Sequence, residues 1–149
     1  MAATTKFQHT GDDKSAQMIP LNAALARCVV AALADEFSRR IVTSTVNEGK
    51  TVQEISLEQA VPLSTCYRRT GELSNEGLLM VERIVVTGEG KRYAIYRSSF
   101  RAVEISSNLD TISATAQVNP DVAEKFNRTW LNASTGAANE KQDHSTWSA

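Results

Sequence analysis

The residues of this chain best suited to chemistry stand close together in Ser64-Thr65-Cys66-Tyr67-Arg68-Arg69. That chemistry is recognition rather than bond-making. An arginine fork pairs bidentately with N7 and O6 of guanine, and short hydroxyls reach base edges or phosphates. Glu72, one turn on, can accept from a cytosine amino group or orient an arginine. A second basic pair, Lys91-Arg92, follows Gly88-Glu89-Gly90 and suits a phosphate or the minor groove. Other chemistries lack their residues. His9 and His144 lie near opposite ends, Cys28 and Cys66 on separate segments, so no convergent set of metal ligands forms. No Gly-rich phosphate loop precedes a helix, and no nucleophile–base–acid set is apparent. The expectation is a protein that is not an enzyme and uses no metal or cofactor, with Cys66 a small core residue rather than a redox switch.

For 64–77 to present a reading face it must be a helix, and the local signals agree. Thr51 and Glu54 have the spacing of a capping box, which opens a first short helix ended by Ala60-Val61-Pro62. Ser64 is expected to cap a second helix over 64–77, with Cys66, Thr70, Leu73 and Leu78 turned inward and Gly77 at its close. Thr65, Tyr67, Arg68 and Glu72 then face outward, with Arg69 more lateral. Runs rich in Val, Ile and Tyr at 79–87 and 91–98 flank Gly88-Glu89-Gly90 and read as a hairpin. A helix, a tight turn, a second helix and a basic hairpin stand in the order of a winged helix-turn-helix.

The flanking segments supply the frame. Leu25, Val29, Leu33, Phe37 and Ile41 recur every four residues, and Asp35 can re-cap the chain, which predicts helices at 21–34 and 36–48 or one kinked helix. Strands are expected at 103–106 and 111–118. Asn119-Pro120-Asp121 then opens a helix with Val122, Ala123, Phe126 and Trp130 on one stripe. That stripe can pack on its own domain or on a second copy. So short a segment has little chain around it to bury Val122, Phe126 and Trp130, which makes them the expected homodimer contact. Residues 1–19 and 133–149 lack periodicity and are expected as a disordered arm and tail. The predicted fold class is α+β, mainly helical: a winged helix-turn-helix with a β-hairpin wing over 20–101, followed by a small β/α extension over 102–132.

Composition is compatible with this. The chain has 149 residues, 42% of them hydrophobic, enough for one domain with a modest core. No apolar run approaches the roughly 20 residues of a membrane span, no secretory signal is evident, and two cysteines make no disulfide framework. A cytoplasmic, nucleoid-associated location is the simplest expectation, and the Asn-x-Ser/Thr matches at Asn127 and Asn132 are then chance. The net charge is −1, but residues 62–101 hold 7 basic against 4 acidic side chains, a local excess of 3 where phosphate contacts would need it.

Taken together, Ala32–Val42, the run Val61-Pro62-Leu63-Ser64-Thr65-Cys66-Tyr67-Arg68-Arg69, Glu76–Leu79 and Gly90–Ser98 resemble the ArsR-like winged-helix regulators, particularly the form common in archaea. The resemblance covers about residues 24–101. It implies double-stranded DNA as partner, with Ser64, Thr65, Tyr67, Arg68 and Arg69 in the major groove and Lys91 and Arg92 as the wing tip. The cysteine-rich motif of the metal-sensing members is absent, and Thr70 stands where these families place a larger apolar residue. A homodimeric transcriptional regulator is the expected function. The alternative is a winged-helix module that binds protein within a transcription assembly.

Overall fold

The first three helix starts in this chain are set by short polar side chains that take up otherwise orphaned amides. The computed structural model describes residues 17–131, so residues 1–16 of the expected arm and the whole expected tail lie outside it. Asn22 Oδ1 accepts from the Leu25 amide and opens α1 (Ala23–Ala34). Asp35 ends α1 in extended geometry and accepts from the Ser38 amide to open α2 (Glu36–Ser44). Two helices meeting at Asp35, rather than one kinked helix, are therefore present. The expected capping box is formed: the Thr51 hydroxyl accepts from the Glu54 amide while the Glu54 carboxylate accepts from the Thr51 amide. It opens α3 (Val52–Gln59), and α4 (Leu63–Asn75) follows.

Strands β2 (Leu79–Val86) and β3 (Arg92–Ser98) form an antiparallel hairpin, with a bulge between Val81 and Arg83. After one bent residue, Ser99, the chain continues as β4 (Phe100–Ser107), which pairs with β5 (Ile112–Val118). The architecture is α+β with small sheets. The segment Pro120–Val122 makes a 3-10 turn capped by Asn119, then come α5 (Ala123–Phe126) and a π-type turn over Asn127–Leu131.

Three differences from the sequence expectation have physical causes. The chain before α1 is not all arm: Met18–Pro20 form β1, an edge strand on β5 with Ile19 opposite Ala116. Its partners lie almost a hundred residues away, so no local pattern marks it. Helix α2 stops at Ser44 instead of 48. The Thr45 hydroxyl bonds back to the carbonyls of Ile41 and Val42, and the Thr45 carbonyl then receives the Ser98 amide, which turns the chain toward β3. Lastly, residues 102–131 are not an appendage. One cluster of buried side chains runs from Leu21, Val29 and Ile41 through Ile55 and Leu79 to Ala116 and Phe126, so the later strands share the core of the helices.

Candidate nucleic-acid interface

The turn between α3 and α4 fixes their relative placement. Ala60 takes the left-handed conformation at φ 55°, and the Ser56 hydroxyl donates to the Val61 carbonyl at 2.7 Å. The cap of α4 differs from expectation: Pro62 occupies it with no side-chain bond, and Ser64 sits two positions inside, exposed. Cys66, Thr70 and Leu73 are buried beneath. Cys66 donates weakly to the Val52 carbonyl at 3.6 Å, and burial pushes its thiol up, as befits a core residue. The Thr70 hydroxyl has only that thiol beside it, a weak partner for a buried group.

The outward side chains differ in how firmly they are held. Arg68 is exposed and only loosely near Glu72, at 3.7 Å. Thr65 is half-buried, and Tyr67 is 50% exposed with its hydroxyl accepting from Gln53 Nε2 at 2.8 Å. Arg69 is held. Its guanidinium meets Asp35 at 3.1 Å and Glu72 at 3.6 Å, and its Nε is enclosed. The Ser38 amide, then the Ser38 hydroxyl and the charges of Arg69 and Arg68, hold the Asp35 carboxyl below its usual range against partial burial. Arg69 thus ties α4 to the α1–α2 junction. Arg40 makes a comparable tie, bonding Glu36 and the Gln59 carbonyl at the end of α3.

At the hairpin end, Thr87 organises the turn. Its hydroxyl accepts from the amides of Glu89 and Lys91, and Gly90 takes φ 88°. Lys91 and Arg92 project from it, both exposed. Between hairpin and helices lies an open cleft of about 100 Å³ walled by Gln53, Tyr67, Arg92, Tyr93, Ala94 and Tyr96. Tyr67 and Arg92, from opposite ends of the expected surface, therefore border one cleft. Gln53 was not legible as a site residue. Its position inside the capping box, between Thr51 and Glu54, was the one available signal. By register Ile84 and Val86 lie opposite Ala94 and Arg92, and both are exposed, at 48% and 57%.

The expected dimer stripe is corrected. Val122 and Phe126 are buried within their own chain, at 2% and 0% exposure. Phe126 meets Phe100 edge to face, with centroids 5.1 Å apart at 76°. Trp130 is half-buried against Gly77, where φ is 91° and an added Cβ would lie 2.9 Å from the indole. The stripe faces inward because β4, arriving from 26 residues earlier, brings Phe100 to it.

Among the described residues no group of three or more His, Cys, Asp or Glu side chains could hold a metal, and no helix is long and apolar enough to cross a membrane. No family model, curated protein or solved structure matches the chain.

Proposed function

We propose that the chain is a winged helix-turn-helix DNA-binding protein of ArsR-like type, a homodimeric transcriptional regulator working in the cytoplasm. Helix α4 enters the major groove, and the β2–β3 hairpin follows the backbone or minor groove as the wing. The observation that carries the reading is the joint placement of Tyr67 and Arg92 on one cleft, with exposed Arg68 next to Tyr67 in α4 and Lys91 next to Arg92 in the hairpin. Ser64, Thr65 and Arg68 then read base edges or phosphates, Tyr67 and Lys91 reach the backbone, and Arg92 serves either. Arg69 acts differently from the sequence expectation: held by Asp35, it positions the helix. In a dimer the two α4 helices meet half-sites about one helical turn, roughly 34 Å, apart.

A second reading has its own support. Leu57, Leu63, Ile84 and Val86 are exposed on α3, α4 and β2, the elements that carry the expected interface, and apolar exposure of this kind suits a protein partner. Salt dependence separates the two. Duplex DNA binding followed by fluorescence anisotropy should weaken linearly as log K against log salt. Lys91→Ala with Arg92→Ala should lower affinity for all sequences alike and reduce that slope by about 2. An unchanged slope removes the hairpin from the interface, and no binding at low salt favours the protein-binding module.

A further inference from the structure

With the C-terminal stripe buried, a homodimer needs another surface, and the β4–β5 hairpin has the properties of one. At its tip Leu109 is 97% exposed and held at φ 75°. Leucine disfavours that conformation, and glycine or asparagine would hold the turn at lower cost. The strain is fixed in place: the Ser107 hydroxyl accepts from the Leu109 amide, and Asn108 Oδ1 accepts from the amides of Asp110 and Thr111. The turn thus presents an apolar side chain to solvent in a set direction, with nothing among the described residues covering it. Below the tip Ile105 and Ile112 are 43% and 38% exposed, on the same face of the hairpin as buried Ala114 and Ala116.

A receptor of matching character lies at the other end of β4. Between α1, α2 and the base of β4 is a groove of about 180 Å³ lined by Val29, Leu33, Val42, Val46, Phe100 and Val103. An apolar cavity of about 150 Å³ accepts a benzene-sized group, so this groove has room for a leucine side chain. Arg101 stands on its rim and Asp110 beside Leu109, both exposed, and neither has an ion-pair partner among the described residues.

We infer that two copies of the chain pair through this hairpin, Leu109 of each seated in the groove of the other and Asp110 meeting Arg101. The arrangement is self-consistent. Antiparallel strands about a two-fold axis beside Ile105 carry Arg101 and the partner subunit's Leu109 each four residues from the axis, about 13 Å along the strand. Ile105 then meets the partner subunit's Ile105. One operation satisfies both ends, as a closed isologous dimer requires. This pairing rests on the homodimer of the reading above and not on its DNA contacts.

Sedimentation of the full chain at micromolar concentration without DNA tests it. The parent should be dimeric. Leu109→Gly should weaken the dimer about tenfold or more, while unfolding of the dissociated monomer comes no earlier, since glycine suits the positive φ. Arg101→Asp and Asp110→Arg should each weaken association, and the double variant should restore it. Ile105→Cys in a Cys28→Ser background should cross-link the dimer on mild oxidation, with Cys66 too buried to compete. A monomeric parent, which leaves this face to some other protein, overturns the pairing. So does Leu109→Gly associating like the parent, failure of the charge exchange to restore association, or absence of the cross-link. A parent that dimerises but binds no DNA defeats only the DNA reading; one that binds DNA as a monomer defeats the pairing and the homodimer but not the DNA contacts.

Discussion

Phe126→Ala should lower the free energy of unfolding by about 3–5 kcal/mol, the range for truncating a buried phenylalanine. Phe126 is wholly buried, and its edge-to-face contact with Phe100 adds about 0.5–1.5 kcal/mol beyond area alone, so the upper half of that range is expected. A domain of this size has about 5–15 kcal/mol in all. The substitution therefore removes about a quarter or more of the stability, with a shift of the urea midpoint at little change in slope. The sequence alone suggested a different outcome, dissociation of a dimer with the fold intact. An unchanged midpoint would restore that view and contradict the packing of α5 under β4.

Arg97→Met should cost about 3 kcal/mol. The Arg97 guanidinium is almost entirely enclosed, donating to the carbonyls of Val46 and Asn47 and pairing with Glu82 and Asp121. Removing one partner of a buried ion pair costs about 3–5 kcal/mol, and the lower end applies because Asp121 is half-exposed and recovers water. Arg97 gathers the end of α2, strand β2 and the turn after β5 around one planar fork. Arg97→Lys keeps the charge but reaches fewer of these partners, so it should recover only part of the loss. Chemical unfolding of the two variants decides this, and equal stability of the parent and the methionine variant would show the cluster to be idle.

What could be read in advance was local. Asp35, Thr51 with Glu54, and Asn119 before Pro120 announced helix starts because a cap involves residues within three or four of each other. The β2–β3 hairpin declared itself through its glycine turn. What escaped the sequence depends on distant partners. The β1 edge strand exists because β5 receives it, Phe126 turns inward because Phe100 is there, and Arg69 is occupied because Asp35 lies 34 residues away. The candidate reading face was legible as residue types, since Tyr67, Arg68 and Lys91 do stand exposed. Which of its cations stand exposed and which are tied to another element, as Arg69 is to Asp35, required three dimensions. The exposed Leu109 was invisible for the same reason: its oddity lies in a backbone angle.

Selection of binding sites from a randomised duplex pool tests most directly the proposal that α4 reads duplex sequence through Arg68. The parent should enrich a two-fold symmetric motif with half-sites about one helical turn apart. Arg68→Ala should retain binding to the pool yet lose discrimination at one position per half-site, worth about 1–3 kcal/mol. Enrichment of nothing by the parent at low salt, or the same motif and strength from Arg68→Ala, would contradict it.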